Sequence, residues 1–290
     1  MTMELAHKPR SVYTTFRGLL RRMQMIDRMI MHYVRRRRVC HAEELMIKGD
    51  FFPESRTEIL ADYTFATARS HRGVMQVLNL EAVLRYVEAK NIEGAVVETG
   101  TYTGGASAYM MRALQRLRVG KSPREYWGFD SFEGMPTPSL NDGDHGSIWV
   151  TGKRMNEIKP TEMGALVGHD ANKTDYDQCM SYLRQTGYPA QCIHLIKGWF
   201  QDTLKPTKEI IGTIAVLRMD GDFYDSTKVV FEELYDQVVE GGVVIIDDYG
   251  RFQGCRRATE EFLAEKRIEA HLIYVENSIR YFVKPRAVFP

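Results

Sequence analysis

Four cysteines in 290 residues, Cys40, Cys179, Cys192 and Cys255, show neither a CxxC pair nor a finger spacing, so the chain reads as neither a zinc finger nor a disulfide framework. No run approaches the roughly 18 apolar residues that span a bilayer, and the first residues lack the apolar core of a secretion signal. A cytoplasmic location is expected. Also missing is the G-x-G-x-x-G fingerprint of dinucleotide folds: Gly100, Gly104 and Gly105, which follow the first apolar run, have another spacing. That counts against a hydride-transfer enzyme. Charge of one sign is scarce too, with a net of +1, and no nucleic-acid partner is expected.

The charge that exists is unevenly placed. Met1 to Val39 holds ten Lys or Arg against two acids, a net of +8, which leaves −7 for the rest. Within it, Val12 to Val39 carries apolar residues at spacings of three and four with arginines between them, ending in Arg35 to Arg38, and this predicts a basic amphipathic helix. Such a helix suits packing against the body or against a partner subunit in a homo-oligomer, which we favour, peripheral contact with an anionic membrane, or an acidic macromolecule. Three regions follow: a basic helical extension over 1–50, a helical cap over 51–93 with helices at Thr57 to Ser70 and Val74 to Ala89, and a main domain over 94–290.

In the main domain, apolar runs alternate with helical ones. Strands are expected at Gly94 to Val97, Tyr126 to Phe129, Cys192 to Ile196, Thr213 to Leu217 and Val243 to Ile246, with a closing hairpin of Ala270 to Val275 and Ile279 to Val283. Helices are expected at Ala106 to Leu117, Lys173 to Gln185, Ser226 to Val239 and Cys255 to Glu265. The pattern implies an α/β fold, one doubly wound, mostly parallel sheet with an antiparallel end. Residues 134–168, rich in Gly, Pro, Asn and Asp, read as a lid insertion.

Thr213 to Gly250 is the most informative stretch. Its two apolar runs end in carboxylates, Asp220 with Asp222, and Asp247 with Asp248. Strands of a parallel sheet are buried on both faces, so these acids belong at carboxyl ends, where open α/β sheets bind ligands. Two acidic ends side by side repel unless a cation or a proton lies between them. After the first strand the loop E-T-G-T-Y-T-G-G, Glu98 to Gly105, brings backbone amides to a helix N-terminus. Glu98 would repel a pyrophosphate and suits a ligand with a positive group, such as the amino group or sulfonium of S-adenosylmethionine. Asp130, at the end of the second strand, stands where an acid accepts ribose hydroxyls; the alternative is that both acids cap the next helices.

Six motifs then occur in order: V-V-E-T-G-T-Y-T-G-G from Val96, F-D-S-F-E-G-M-P from Phe129, G-W-F-Q-D-T-L from Gly198, L-R-M-D-G-D-F-Y-D-S-T from Leu217, G-G-V-V-I-I-D-D-Y-G from Gly241 and C-R-R-A from Cys255. From about Arg69 onward the chain resembles the macrocin O-methyltransferase family, metal-dependent enzymes that methylate sugar hydroxyls of antibiotics; the basic arm lies outside these motifs. The resemblance implies a Rossmann-like methyltransferase fold and S-adenosylmethionine as cofactor. It also implies that Asp220, Asp247 and Asp248 are ligands of Mg²⁺ and that Asp222 is the general base. Glu98, Gly100, Tyr102, Gly104, Asp130, Ser131, Gly198 and Trp199 match its cofactor pocket.

The implied partner is a small molecule or glycan with adjacent hydroxyls. A hydroxyl has a pKa far above 7, and a neighbouring cation stabilises the alkoxide it becomes. A catechol-type phenolic O-methyltransferase would use the same acids; a non-catalytic adenosyl-binding scaffold would have no reason to keep four costly carboxylates. Weaker expectations attach to His145, Trp149 and His169, which would line the acceptor side or belong to a solvent loop. Arg251, Arg256 and Arg257 would balance the acids or lie on a helix surface, and His271 would lie in the terminal sheet.

Overall fold

The structure, a computed structural model, describes residues 29, 31–69 and 73–286. It divides into two compact units, Met1–Arg56 and Thr57–Pro290. In the first, the expected basic helix lies outside the described residues up to 28 and at residue 30; residues 31–48 are helical (α1) and run past the expected end at Val39. A 3-10 turn at Pro53–Ser55 follows, and Arg56 pairs with Asp50 at 3.2 Å. Among the described residues no helix is long and apolar enough to cross a membrane.

After α2 (Arg56–Ala66) and α3 (Val74–Ala89) the alternation begins. Its strands are β1 (Ala95–Thr99), β2 (Tyr126–Asp130), β3 (Ile193–Lys197), β4 (Ile214–Met219), β5 (Val238–Ile246), β6 (Ile273–Tyr274) and β7 (Arg280–Val283). Its helices are α4 (Gly105–Leu117), α5 (Gly143–Thr151), α6 (Tyr176–Arg184), α7 (Phe200–Ile211), α8 (Tyr224–Leu234) and α9 (Gln253–Glu265). The sheet order is β3-β2-β1-β4-β5-β7-β6, parallel from β3 to β5, with β7 antiparallel to β5 and β6 antiparallel to β7. Strand order reverses between β1 and β4, and a crevice at that reversal is where such sheets take ligands.

Several boundaries differ from the sequence reading, each for a local reason. Helix α8 stops at Leu234 instead of Val239, because Val238 and Val239 are β-branched and already belong to β5. Strand β5 passes through Gly241, at φ +79°, and its register against β4 shifts between Val238, opposite Ile214, and Val243, opposite Val216, which is how it absorbs the glycine pair expected to precede it. Helix α7 was not expected, since Pro206 lies inside it. Its buried residues Leu204 and Ile211, seven apart, are the two-turn repeat that marks its inner face. The insertion after β2 is not all irregular: it contains α5 and a 3-10 turn at Met155–Glu157.

Register separates the two faces of the sheet. Trp127, Val97, Leu217, Val244 and Phe282 are aligned across five strands, and all are buried in one apolar core against α7, α8 and α9. The next row reads Gly128, Glu98, Arg218, Ile245 and Tyr281, and side chains one residue on point to the opposite face. A charged pair therefore lies in the middle of the sheet, on the face away from that core. Phe231 stacks on Phe262 at 4.5 Å within the core. We predict that Phe231→Ala lowers unfolding free energy by about 3–5 kcal/mol, read by chemical denaturation; a loss under about 1 kcal/mol would mean that this core collapses around the gap.

Candidate active site

Five strand ends are continued by loops that converge on one cavity of about 790 Å³. At its centre two chain segments touch. Asp220 donates its N–H to the carbonyl of Thr99 at 2.9 Å, and Gly100, at φ +90°, packs so closely that a Cβ there would lie 1.8 Å from the Asp220 carbonyl oxygen. Glycine is therefore required at 100 by both backbone conformation and space.

Three non-glycine residues just past strand ends also adopt left-handed backbones: Tyr102 after β1 (φ +52°), Phe132 after β2 (φ +57°) and Asp222 after β4 (φ +58°). Each such conformation costs on the order of 1–3 kcal/mol and is held only by its surroundings. Two of them share one restraint. Tyr102 and Phe132 donate their N–H groups to the two oxygens of Asp130, at 2.8 and 2.7 Å. Asp130 thus fixes the β1 and β2 loops together, and each oxygen keeps a lone pair for a hydroxyl donor. Burial pushes its carboxyl up to about 6, against those two N–H groups and together with the charges of Asp220 and Glu98.

Oxygens of Asp220, Asp247 and Asp248 come within 4.8 Å of one another. Asp222 joins them, donating its N–H to Asp248 Oδ2 at 3.3 Å. Burial and the charges of Asp222, Asp220 and Asp247 push the Asp248 carboxyl well above the usual range. The all-oxygen donor set of the cluster suits a hard divalent cation. On its inner side the cluster meets an arginine. Arg218, 1% exposed, reaches Glu98 Oε1 at 2.5 Å, Asp220 Oδ2 at 2.9 Å and Asp247 Oδ1 at 2.9 Å. The other oxygen of Glu98 accepts from Ser107 and Tyr126.

Of the residues expected at the site, Gly100, Tyr102, Asp130, Ser131, Trp199, Asp220, Asp222, Asp247 and Asp248 all line the cavity. Glu98, Gly104 and Gly198 stand behind that lining. Glu98 is fully buried and occupied by Arg218, Ser107 and Tyr126, so its side chain ties β1 to β4, α4 and β2 beneath the cavity lining. Gly104 caps α4 in a left-handed turn and packs on Cys179 and Leu183 of α6. Gly198 donates its N–H to the Asp130 carbonyl at 2.9 Å.

The insertion closes the opposite wall. Its ends are bridged at Met135 and His169, and His169 pairs with Thr137 at 3.0 Å instead of facing the cavity. Asp142 accepts from the N–H of Ser139 and from the N–H of Tyr224 at the start of α8, both at 2.7 Å, which anchors α5 beside the Asp222 loop. Trp149 of α5, 38% exposed, lines the cavity, and the rings of Trp149, His145 and Phe223 surround Phe252. Arg251 lines the cavity with its guanidinium over Trp149 and Phe252. Arg257 pairs with Glu261, Arg256 lies over Tyr249, and His271 is exposed ahead of β6.

Sequence reasoning missed the wall given by Gln76 and the β6–β7 hairpin, namely Tyr274, Glu276, Asn277 and Ser278. These residues carry no local motif. Topology places them, since β7 lies beside β5 and Ser278 donates its hydroxyl to the Asp247 carbonyl at 2.5 Å.

A model of the family described as macrocin-O-methyltransferase matches residues 10–284. The match takes in most of the basic arm, which the six motifs had left out. Demethyldecarbamoylnovobiocin O-methyltransferase of Streptomyces niveus is 33% identical over 221 residues, 76% of this chain and 78% of that protein. The 8-demethyl-8-(2,3-dimethoxy-alpha-L-rhamnosyl)-tetracenomycin-C 4'-O-methyltransferase of Streptomyces olivaceus is 31% identical over 212 residues, 72% and 73% of the two. Among solved structures, the O-methyltransferase NovP superposes with a TM-score of 0.61 at 30% identity, covering 75% of this chain and 83% of its own.

The contact between Gly100 and Asp220 is directly testable. Gly100→Ala is expected to force the β1 and β4 loops apart and to lower stability by roughly 2 kcal/mol or more, measured by denaturant titration. Wild-type stability in this variant would show that the two loops are not held in the described contact.

Proposed function

The chain belongs to the macrocin O-methyltransferase family, and from that premise we propose that it transfers a methyl group from S-adenosylmethionine to a sugar or other vicinal hydroxyl of a natural product or glycan, with Mg²⁺ at Asp220, Asp247 and Asp248. The observation that carries this reading is the pairing of two half-sites in one cavity. Asp130 and the glycine loop form one, and the carboxylates at the ends of β4 and β5 form the other.

In the donor half, Asp130 is oriented by two backbone N–H groups and is suited to accept both hydroxyls of a ribose. Gly100, Tyr102, Ser131 and Trp199 border the same space. S-adenosylmethionine supplies a methyl already activated on a sulfonium, so the protein's task is to bring a hydroxyl into line and remove its proton. In the acceptor half, Asp222 has its carboxylate on a fixed left-handed turn at the cavity wall and takes that proton. Asp220, Asp247 and Asp248 would hold a divalent cation, and the chemistry it would supply is positive charge that stabilises a hydroxyl as it loses its proton. Trp149, with Glu276 and Asn277, gives an aromatic face next to polar groups, which fits a sugar ring. The tetracenomycin relative is a 4'-O-methyltransferase of a rhamnosyl compound, which supports a sugar over a phenol.

Two experiments test the halves separately. For the acceptor half, Asp220→Asn is expected to lose metal-supported turnover while S-adenosylhomocysteine still binds in calorimetry, and Asp222→Asn to lower kcat by roughly 100-fold or more with metal affinity kept. Full activity of the wild type in excess chelator would overturn the metal assignment. For the donor half, the raised Asp130 carboxyl sets the sign of the pH dependence. Below about 6 it is protonated and cannot accept from both hydroxyls, so affinity for S-adenosylhomocysteine rises with pH through about 6 and levels off above it. The expected change is about tenfold per pH unit below that point, and Asp130→Asn flattens it. An equally steep profile in the variant would assign the titration to another group.

A further inference from the structure

The wild-type sheet buries an arginine where an apolar residue would be ordinary. Arg218 is the fifth residue of β4, with β1 on one side and β5 on the other, and its register partners are Glu98 and Ile245. Side chains two residues apart share a face, so Asp220 follows Arg218 and Asp247 follows Ile245 on the side where Glu98 already lies. Register alone therefore gathers three carboxylates around one guanidinium. The contacts are 2.5 Å to Glu98, 2.9 Å to Asp220 and 2.9 Å to Asp247.

We propose that Arg218 is a positioning residue that orients the Asp220 and Asp247 carboxylates toward the cavity, and that Glu98 is the anchor that holds Arg218 in place. The inference rests on the reading of Asp220, Asp247 and Asp248 as a divalent-cation site. A carboxylate that gives one oxygen to a fixed guanidinium has its rotation arrested, which leaves the other oxygen in a set direction. A guanidinium is suited to this because its planar fork serves several acceptors at once, whereas an ammonium is a single point charge on a flexible stem. Glu98 matters for a second reason. By sharing the guanidinium, it draws charge away from Asp220 and Asp247, so the arginine orients these acids without fully neutralising them. Glu98 touches neither the cavity nor the cluster, and yet its removal should be felt at both aspartates.

The test is calorimetric titration of Mn²⁺ alone, and of S-adenosylhomocysteine alone, into the wild type, Arg218→Lys and Glu98→Gln, with thermal melts to establish folding. Arg218→Lys keeps the charge and loses the fork, and its Kd for Mn²⁺ is expected to rise about tenfold. Glu98→Gln leaves Arg218 to the two aspartates alone, and its Kd for Mn²⁺ is expected to rise about fivefold. In both variants the Kd for S-adenosylhomocysteine is expected to stay within about twofold of the wild type, a split that a general loss of structure would not produce. Unchanged Mn²⁺ affinity in both variants, or equal weakening of both ligands, overturns the inference. If the wild type takes up no Mn²⁺, the cation reading fails, and the positioning role is decided by NMR of the metal-free protein. Resolved, exchange-protected Arg218 Nη protons that are lost in Glu98→Gln support it; rapid exchange in the wild type overturns it. Should Arg218→Lys not fold, the Glu98→Gln titration decides alone.

Discussion

A single guanidinium sealed in the middle of the sheet ties together three strand ends that border the cavity. Arg218 joins the end of β1, through Glu98, to the ends of β4 and β5, through Asp220 and Asp247. Burying one positive and three negative side chains is expensive, and breaking such a set by removing one partner commonly costs about 3–5 kcal/mol. The arrangement persists because each charge meets a partner in an environment where water cannot screen it. Its location follows from strand register, since the row that contains Glu98 and Arg218 lies one residue beyond an unbroken apolar row.

From that fixed centre the cavity is built outward by strained loops. Tyr102, Phe132 and Asp222 hold left-handed backbones immediately after three different strands, and Asp130 restrains two of them with its own oxygens. The strain is stored where each loop must turn sharply to present its end to a ligand. Asp130 lies deep enough for burial to raise its pKa, and the two N–H groups that it accepts offset part of that cost.

Legibility in the sequence followed the physical range of each signal. Apolar runs and the acids that end them are local, so the main strands, the carboxylate ends at Asp220, Asp247 and Asp248, and the position of Asp130 could be read directly. Helix α7 was hidden because Pro206 argues against a helix interior, although Leu204 and Ile211 carry the spacing that its buried face needs. The start of β5 was hidden by the glycine pair, which reads as a break yet is absorbed as a bulge. Glu98 was legible as an acid at a strand end but not as a buried one, because its burial depends on Arg218, 120 residues away. The hairpin wall of Tyr274 to Ser278 depends wholly on β7 lying against β5, a long-range pairing that no local pattern announces.

The insertion that carries α5 has two attachments of different kinds. Asp142 hydrogen-bonds it to the first N–H of α8, and the ring of Phe252 seats Trp149 and His145. Neither attachment passes through the charged centre of the sheet. Side chains on the outer surface of α5 and in the segments around it can therefore change without altering the strand register on which the carboxylates depend. A change on the α5 wall and a change in the charged centre therefore reach the cavity by separate routes, one through a hydrogen bond and an aromatic seat and the other through strand register.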